Sequence, residues 1–255
     1  MPVEDFDGLK LHAQSIGGAG GPLVLVHGLL VGSLSSWFFA MGPALARRHR
    51  VLMYDLRGHG LSPGAGDQWG IRAHAADLAR VVDRHAGEEP VTLVGHSVGG
   101  AIALRYALDH PLRVARLVLI DTPLPVMAQE WVDEVRKAPV AALLKLLPSA
   151  QHATVGRGGR QAQRMAAQVL TLVNRTPLLE HLIAEPDFTD DELAGLQPPL
   201  LLCYATRSGP VFAATGARLA ARVPAARLTL IDGGHFLPIE AASAVTSAIC
   251  AFHDA

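Results

Sequence analysis

Two cysteines in 255 residues, Cys203 and Cys250, give no basis for a disulfide framework. They stand far apart in apolar runs and read as buried thiols of a reducing compartment. Charge imbalance is also missing. Lys and Arg number 22 and Asp and Glu 23, which leaves a net charge of −1 with His neutral. Nucleic-acid binding and electrostatic capture of a highly charged substrate are therefore not expected. No apolar run reaches the roughly 20 residues that span a bilayer, so no membrane segment is expected. Met1-Pro2-Val3-Glu4-Asp5 has neither the basic nor the apolar part of a secretion signal, and the expected location is cytoplasmic. What the chain does have is apolar bulk. Half its residues are hydrophobic and its mean hydropathy is +0.27. At this length such a composition suits one α/β unit with a large core.

The chain alternates strand-like and helical patterns. Residues 2–16 turn at Asp7-Gly8 and read as an edge hairpin. Leu23-Val24-Leu25-Val26 is apolar throughout, as a parallel strand covered on both faces must be. A helix is expected over 34–48, a strand over 51–54 and a helix over 71–85. A strand over 91–94, a small-residue helix from 101 and a strand over 116–120 follow. From about 123 to 196 the rhythm breaks: helical patterns appear over 127–137, 140–147, 160–172 and 178–184, punctuated by Pro139, Pro148, Pro177 and Pro186. The alternation resumes with strands over 200–204 and 227–231 and helices over 211–221 and 239–252. This order predicts a doubly wound, mostly parallel sheet. Residues 1–122 and 197–255 form the core domain, and 123–196 form a helical insertion that lies over the strand ends as a lid.

The densest chemical signal is Gly95-His96-Ser97-Val98-Gly99-Gly100, set between a strand and a helix. A chain that reverses this sharply strains the serine backbone and points the hydroxyl out of the sheet, which is the geometry of a nucleophile elbow. The Val98 amide then sits at a helix N-terminus, where it can meet a developing oxyanion. A serine hydroxyl needs a base, and that base needs an orienting group. Among twelve histidines, His235 is the best base, because it follows the last strand in the flexible turn Asp232-Gly233-Gly234. In His27-Gly28-Leu29 the glycine lets the Leu29 amide turn inward as a second oxyanion donor. His96, His27 and His59 read as bracing residues, and Asp55 and Arg57 as structural residues of their turn.

Four segments, His27-Gly28, Asp55-Leu56-Arg57-Gly58-His59-Gly60-Leu61-Ser62, Gly95-His96-Ser97-Val98-Gly99-Gly100 and Gly233-Gly234-His235-Phe236-Leu237-Pro238, together resemble the α/β-hydrolase fold family. The resemblance covers the chain from about residue 9 onward. It implies an eight-stranded sheet with helices on both faces, a lid after the sixth strand and a Ser–His–acid triad, with no metal and no organic cofactor.

One departure matters. The family's acid usually follows the seventh strand, but here Ser208 stands at that place and no carboxylate occurs between Leu196 and Ile231. Three explanations stand side by side. Asp121, at the end of the sixth strand, takes the role; Ser208 or a water supports the histidine; or the triad has decayed. Asp121 is the favoured acid, and some family members resemble that arrangement. Asp232 reads as a turn residue, and Asp187, Asp190 and Asp191 as helix caps or solvated charges.

The expected pocket takes Leu30, Trp37 and Phe236 from the core, with Phe38 and Phe39 beside Trp37, and Trp131, Leu143, Leu144 and Leu147 from the lid. Arg157, Arg160 and Arg164 form a basic lid stretch that reads as a solvated loop or as a receiver for the anionic end of a carrier-bound acyl group. The expected activity is that of a serine hydrolase acting on a neutral or apolar ester, lactone or thioester, with a small-molecule substrate, as a monomer or homodimer. Two rivals remain at this point: carbon–carbon hydrolysis, elimination or cyclisation with Ser and His as an acid/base pair, and a ligand-binding receptor with a relict triad.

Overall fold

A computed structural model describes residues 3–18, 20–64, 66–139, 142 and 160–253. Eight strands form one sheet in the order β1-β2-β4-β3-β5-β6-β7-β8. They are β1 (Val3–Phe6), β2 (Leu9–Ile16), β3 (Pro22–Val26), β4 (Arg50–Tyr54), β5 (Val91–His96), β6 (Val114–Ile120), β7 (Leu200–Ala205) and β8 (Ala226–Ile231). β2 runs antiparallel to both β1 and β4, and the remaining pairings are parallel. The β1–β2 hairpin closes at Asp7 and Gly8, whose φ values of 54° and 85° suit the turn of a right-twisted hairpin. β3, β5 and β7 are buried along their whole length. Uninterrupted apolar strands such as these can lie only between two helical layers.

The sheet separates two apolar clusters. The larger holds Leu78, Val81, Ile102, Leu104 and Leu119, among others. It packs α3 (Ile71–Ala86) and α4 (Val98–Asp109) against one face. The smaller holds Trp37, Met41, Val118, Val245 and Ile249 on the other face. There α1 (Ser35–Phe38), α2 (Gly42–Leu45) and, at the chain end, a last helix over 242–253 lie against the strands.

Two expected helices are each divided. The stretch expected as one helix over 34–48 is α1 and α2. Pro43, in the first turn of α2, has no N–H to continue α1, and Gly42 packs tightly beneath the Trp37 carbonyl. The C-terminal stretch is likewise two helices, with a break at Ala241, whose φ of −131° is not helical. Between β6 and β7 lie α5 (Gln129–Lys137), α6 (Arg160–Arg175), α7 (Leu178–Ala184) and α8 (Asp190–Ala194). α8 is an element the sequence pattern does not announce. It is short, and a capping box between Thr189 and Glu192 starts it. After β7 come α9 (Pro210–Arg222), α10 (Leu237–Glu240) and α11 (Ala242–His253). The expected helix over 140–147 lies outside the described residues, apart from Ala142.

The segment between β6 and β7 is fastened to the turn after β4. Gln168 on α6 donates its side-chain amide to the carbonyls of Gly58 and Gly60, at 2.8 and 3.2 Å. The Trp69 amide donates to His181 at 3.1 Å, and the Ile71 amide to Glu185 at 2.9 Å. None of the described helices is long and apolar enough to cross a membrane.

Candidate active site

β5 ends at His96, and the chain turns into α4 within one residue. That residue is Ser97, with φ 56° and ψ −129°. A side chain is strained there, and the turn exists because its neighbours are glycines. A Cβ on Gly95 would lie 2.4 Å from the Gly99 carbonyl, and one on Gly99 would lie 2.4 Å from the carbonyls of Val26 and His27. The Ser97 amide donates to the Ile120 carbonyl at 2.9 Å, which fixes the elbow to β6. Its hydroxyl is thereby held above the sheet.

His235, the expected base, arrives from the loop after β8. Nε2 of His235 is 3.0 Å from Ser97 Oγ, and Nδ1 is 2.7 Å from Asp121 Oδ2. Phe212 and His96 flank the imidazole, with ring centroids at 4.6 and 4.9 Å. His96 donates from Nε2 to the His235 carbonyl at 2.7 Å, so it anchors the loop that carries His235. Burial lowers the His96 pKa to about 3, and the neutral ring keeps that bond.

Asp121 is wholly buried at the end of β6, next to the elbow strand, and has a φ of 45°. Its carboxylate accepts three hydrogen bonds. His235 donates to Oδ2, while the Ala205 amide (3.0 Å) and the Ser208 hydroxyl (2.9 Å) donate to Oδ1. Ser208 thus bonds the acid, not the histidine. Asp232 turns to solvent, where it pairs with Arg207 and accepts from Thr206.

The loop after β3 passes close to the elbow; a Cβ on Gly28 would sit 3.0 Å from that of Ser97. Three buried side chains hold this loop. His27 accepts the Leu56 amide at Nε2 and donates from Nδ1 to the Gly28 carbonyl. His59 accepts the Leu30 amide at Nε2 and donates from Nδ1 to the Arg57 carbonyl. Asp55 accepts the Leu34 and Leu61 amides. Desolvation lowers the His27 pKa, and it lowers that of His59 to about 3. Both rings are therefore neutral, as their acceptor roles require. Leu30 has a φ of 61°, and Leu29 before it lines the same cavity as Ser97 and Val98. Arg57 forms a bidentate pair with buried Asp77 at 2.6 and 2.7 Å, a bond within the scaffold.

Beside the serine lies a cavity of about 390 Å3. Of the expected pocket residues, Leu30, Trp37, Trp131 and Phe236 line it, as do Leu29, Val98, Ser97 and His235. Leu143, Leu144 and Leu147 lie outside the described residues, as does Arg157. Phe39 is corrected: it is 82% exposed and does not line the cavity, because the break between α1 and α2 turns it outward. Phe38 packs on the smaller apolar cluster instead. Cys250 is half-buried where a buried thiol was expected, and Cys203 is buried as expected. Sequence reasoning missed Phe212, Val126 and Met127, which line the cavity from segments that carry no motif. Among the described residues no Asp, Glu, Lys or Arg lines it, and no group of three His, Cys, Asp or Glu is placed to hold a metal ion.

A family model for the alpha/beta hydrolase fold matches residues 21–242. The chain belongs to the α/β-hydrolase fold family. This α/β hydrolase is 34% identical to the magnesium-chelatase 30 kDa subunit of Rhodobacter capsulatus, over 91% of the chain and 87% of that protein. Other curated relatives are matched over about half of their length or less. Lipase LipV of Mycobacterium tuberculosis is one: 37% identical over 150 residues, 59% of this chain and 53% of that one. Among solved structures, Est816, described as an N-acyl homoserine lactone degrading enzyme, is similar with a TM-score of 0.75. It is 26% identical, and the match covers 98% of the α/β hydrolase and 99% of that chain.

Proposed function

We propose that this α/β hydrolase is a serine hydrolase that cleaves a neutral or apolar ester, lactone or thioester through an acyl-enzyme on Ser97. One observation carries the reading. The hydrogen-bonded line Ser97–His235–Asp121 opens at its serine end into a cavity without a charged side chain among the described residues. An apolar cavity wall favours uncharged substrate, since a buried unpaired charge is costly. The likeness to a lipase and to a lactone-degrading enzyme supports the same class.

In this mechanism His235 Nε2 takes the Ser97 proton as Oγ attacks the carbonyl carbon. Asp121 stabilises the imidazolium at Nδ1. The amides of Leu29 and Val98 receive the oxyanion, and each such donor contributes about 3 kcal/mol in the transition state. Collapse breaks the bond to the leaving group, which takes the proton from His235. Water, deprotonated by the same imidazole, then releases the acid and restores Ser97. The substrate is a small molecule or an acyl group on a carrier, and the reaction takes place in the cytoplasm. The segment between β6 and β7, residues 123–196, acts as the lid: Pro123, Val126 and Trp131 already form part of the cavity wall.

Fluorophosphonate labelling followed by peptide mass spectrometry tests the reading. The label is expected on Ser97 and absent in Ser97→Ala, with labelling in Asp121→Asn slower by at least about a hundredfold. A wild-type chain that takes no label would sink the acyl-enzyme.

The near full-length likeness to a magnesium-chelatase 30 kDa subunit favours a second reading, in which the same site works in an assembly that chelates magnesium. Co-elution with magnesium-chelatase subunits in size-exclusion chromatography is its test, and independent elution removes it.

A further inference from the structure

Given the reading of Ser97 as an activated nucleophile, we propose that Ser208 is a positioning residue: its hydroxyl fixes the rotation of the Asp121 carboxylate and so aims Oδ2 at His235. The stretch between β7 and β8 carries no carboxylate, and the Ser208 hydroxyl that stands there has a defined partner. Ser208 Oγ lies 2.9 Å from Asp121 Oδ1 and 3.4 Å from its other acceptor, the Ala205 carbonyl. The division of labour on the carboxylate is clean. Oδ1 takes the Ala205 amide and Ser208, and Oδ2 takes His235.

The turn that carries Ser208 is itself fastened to the loop that carries His235. The Thr206 amide donates to the Ile231 carbonyl and the Arg207 amide to the Gly233 carbonyl, each at 3.0 Å. Gly209, at φ 109°, then starts α9. Acid, hydroxyl and base are therefore parts of one bonded frame at the ends of β6, β7 and β8. Within it, the softest degree of freedom is χ2 of Asp121. An aspartate χ2 lies in a broad, roughly two-fold well, and one amide on Oδ1 does not define a plane. A second donor on the same oxygen does. The bond is also of the strong kind, a hydroxyl to an ionisable carboxylate that is itself wholly buried.

Fluorophosphonate inactivation separates positioning from folding, because it yields a maximal rate and a half-saturating concentration. In Ser208→Ala the maximal rate is expected to fall about tenfold while half-saturation stays within about twofold, since the acid acts on the transition state and not on binding. Ser208→Thr keeps a hydroxyl and is expected to recover most of the rate. The far-downfield proton resonance of His235 Nδ1–H is expected to move in Ser208→Ala and to return in Ser208→Thr, a readout that a merely structural role would not shift. Ser208→Cys, nearly isosteric but a weak donor, covers the case in which the alanine variant fails to fold; the same loss of rate is expected. A wild-type rate in Ser208→Ala or in Ser208→Cys, or a resonance unmoved in Ser208→Ala, overturns the proposal. If Asp121→Asn collapses while Ser208→Ala does not, only the role of Ser208 falls. If Ser97→Ala still labels, the reading of the site falls first.

Discussion

Asp121 Oδ2 stands 2.7 Å from His235 Nδ1, although 114 residues separate the two in sequence. Asp232, only three positions before the histidine, faces solvent and pairs with Arg207. Proximity along the chain and proximity in space thus point to different acids. Asp121→Asn is expected to lower turnover by at least about a hundredfold, because the imidazole loses both its tautomer lock and its counter-charge. Asp232→Asn is expected to stay within about twofold of wild type. Steady-state kinetics on one ester decide between them, and a reversed order would remove Asp121 from the site.

Acid is expected to weaken the fold well above the carboxylate range. His59 and His96 are neutral when folded, with pKa values lowered to about 3 by burial. In the unfolded chain a histidine titrates near 6.5. Between those values the unfolded state binds one more proton at each site, so stability is full above about pH 6.5 and falls as pH drops. Two such groups remove about 3 kcal/mol between pH 6.5 and 5. Urea unfolding midpoints across that range are the measurement. A flat profile would contradict the neutral, acceptor role of the two rings.

Gly99→Ala is expected to destabilise the fold by about 3 kcal/mol or more, as overpacking against fixed backbone does. The added methyl would lie 2.4 Å from two carbonyl oxygens of β3 and its following loop, and neither can move without opening the sheet. Thermal unfolding of the variant tests this. A melting temperature equal to wild type would mean that the elbow is looser than its contacts imply.

Gln168→Ala removes two hydrogen bonds between α6 and the turn after β4. A loss of about 1–2 kcal/mol is expected, confined to the anchoring of α6. Faster proteolysis or amide exchange around 160–175, with the exchange of β5 unchanged, is the expected pattern. Uniform protection across the chain would show that the latch carries no load.

Trp131→Ala enlarges the cavity wall away from the serine side chain's own elements. Longer or bulkier acyl chains are expected to gain on short ones, by about tenfold or more per well-seated methylene. A series of p-nitrophenyl esters reads the change, and an unchanged chain-length profile would place Trp131 outside the acyl path.

The elements that depend on local rules are legible in the sequence. Gly95 and Gly99 announce a close-packed turn around Ser97, and the structure gives Ser97 the strained backbone that such a turn demands. The apolar run of β3 announces burial on both faces. Asp7-Gly8 announces its hairpin. Less local features were lost. The break between α1 and α2 depends on how Gly42 seats against Trp37, and Phe212 enters the cavity wall because α9 starts where β7 ends. Neither has a spacing that a sequence can display.

The elbow around Ser97, the glycine-flanked turn that carries His235 and the alternation that builds the sheet can all be read from the chain, since each is written in the steric needs of a few adjacent residues. The sequence also narrowed the acid, since no carboxylate stands between Leu196 and Ile231. Only the tertiary structure brings Asp121 to His235 and Ser208 to Asp121. Those two side chains meet because β6 and β7 are neighbours in register, with Ile120 opposite Cys203, and hydrogen bonding between strands 80 residues apart leaves no local trace in the chain.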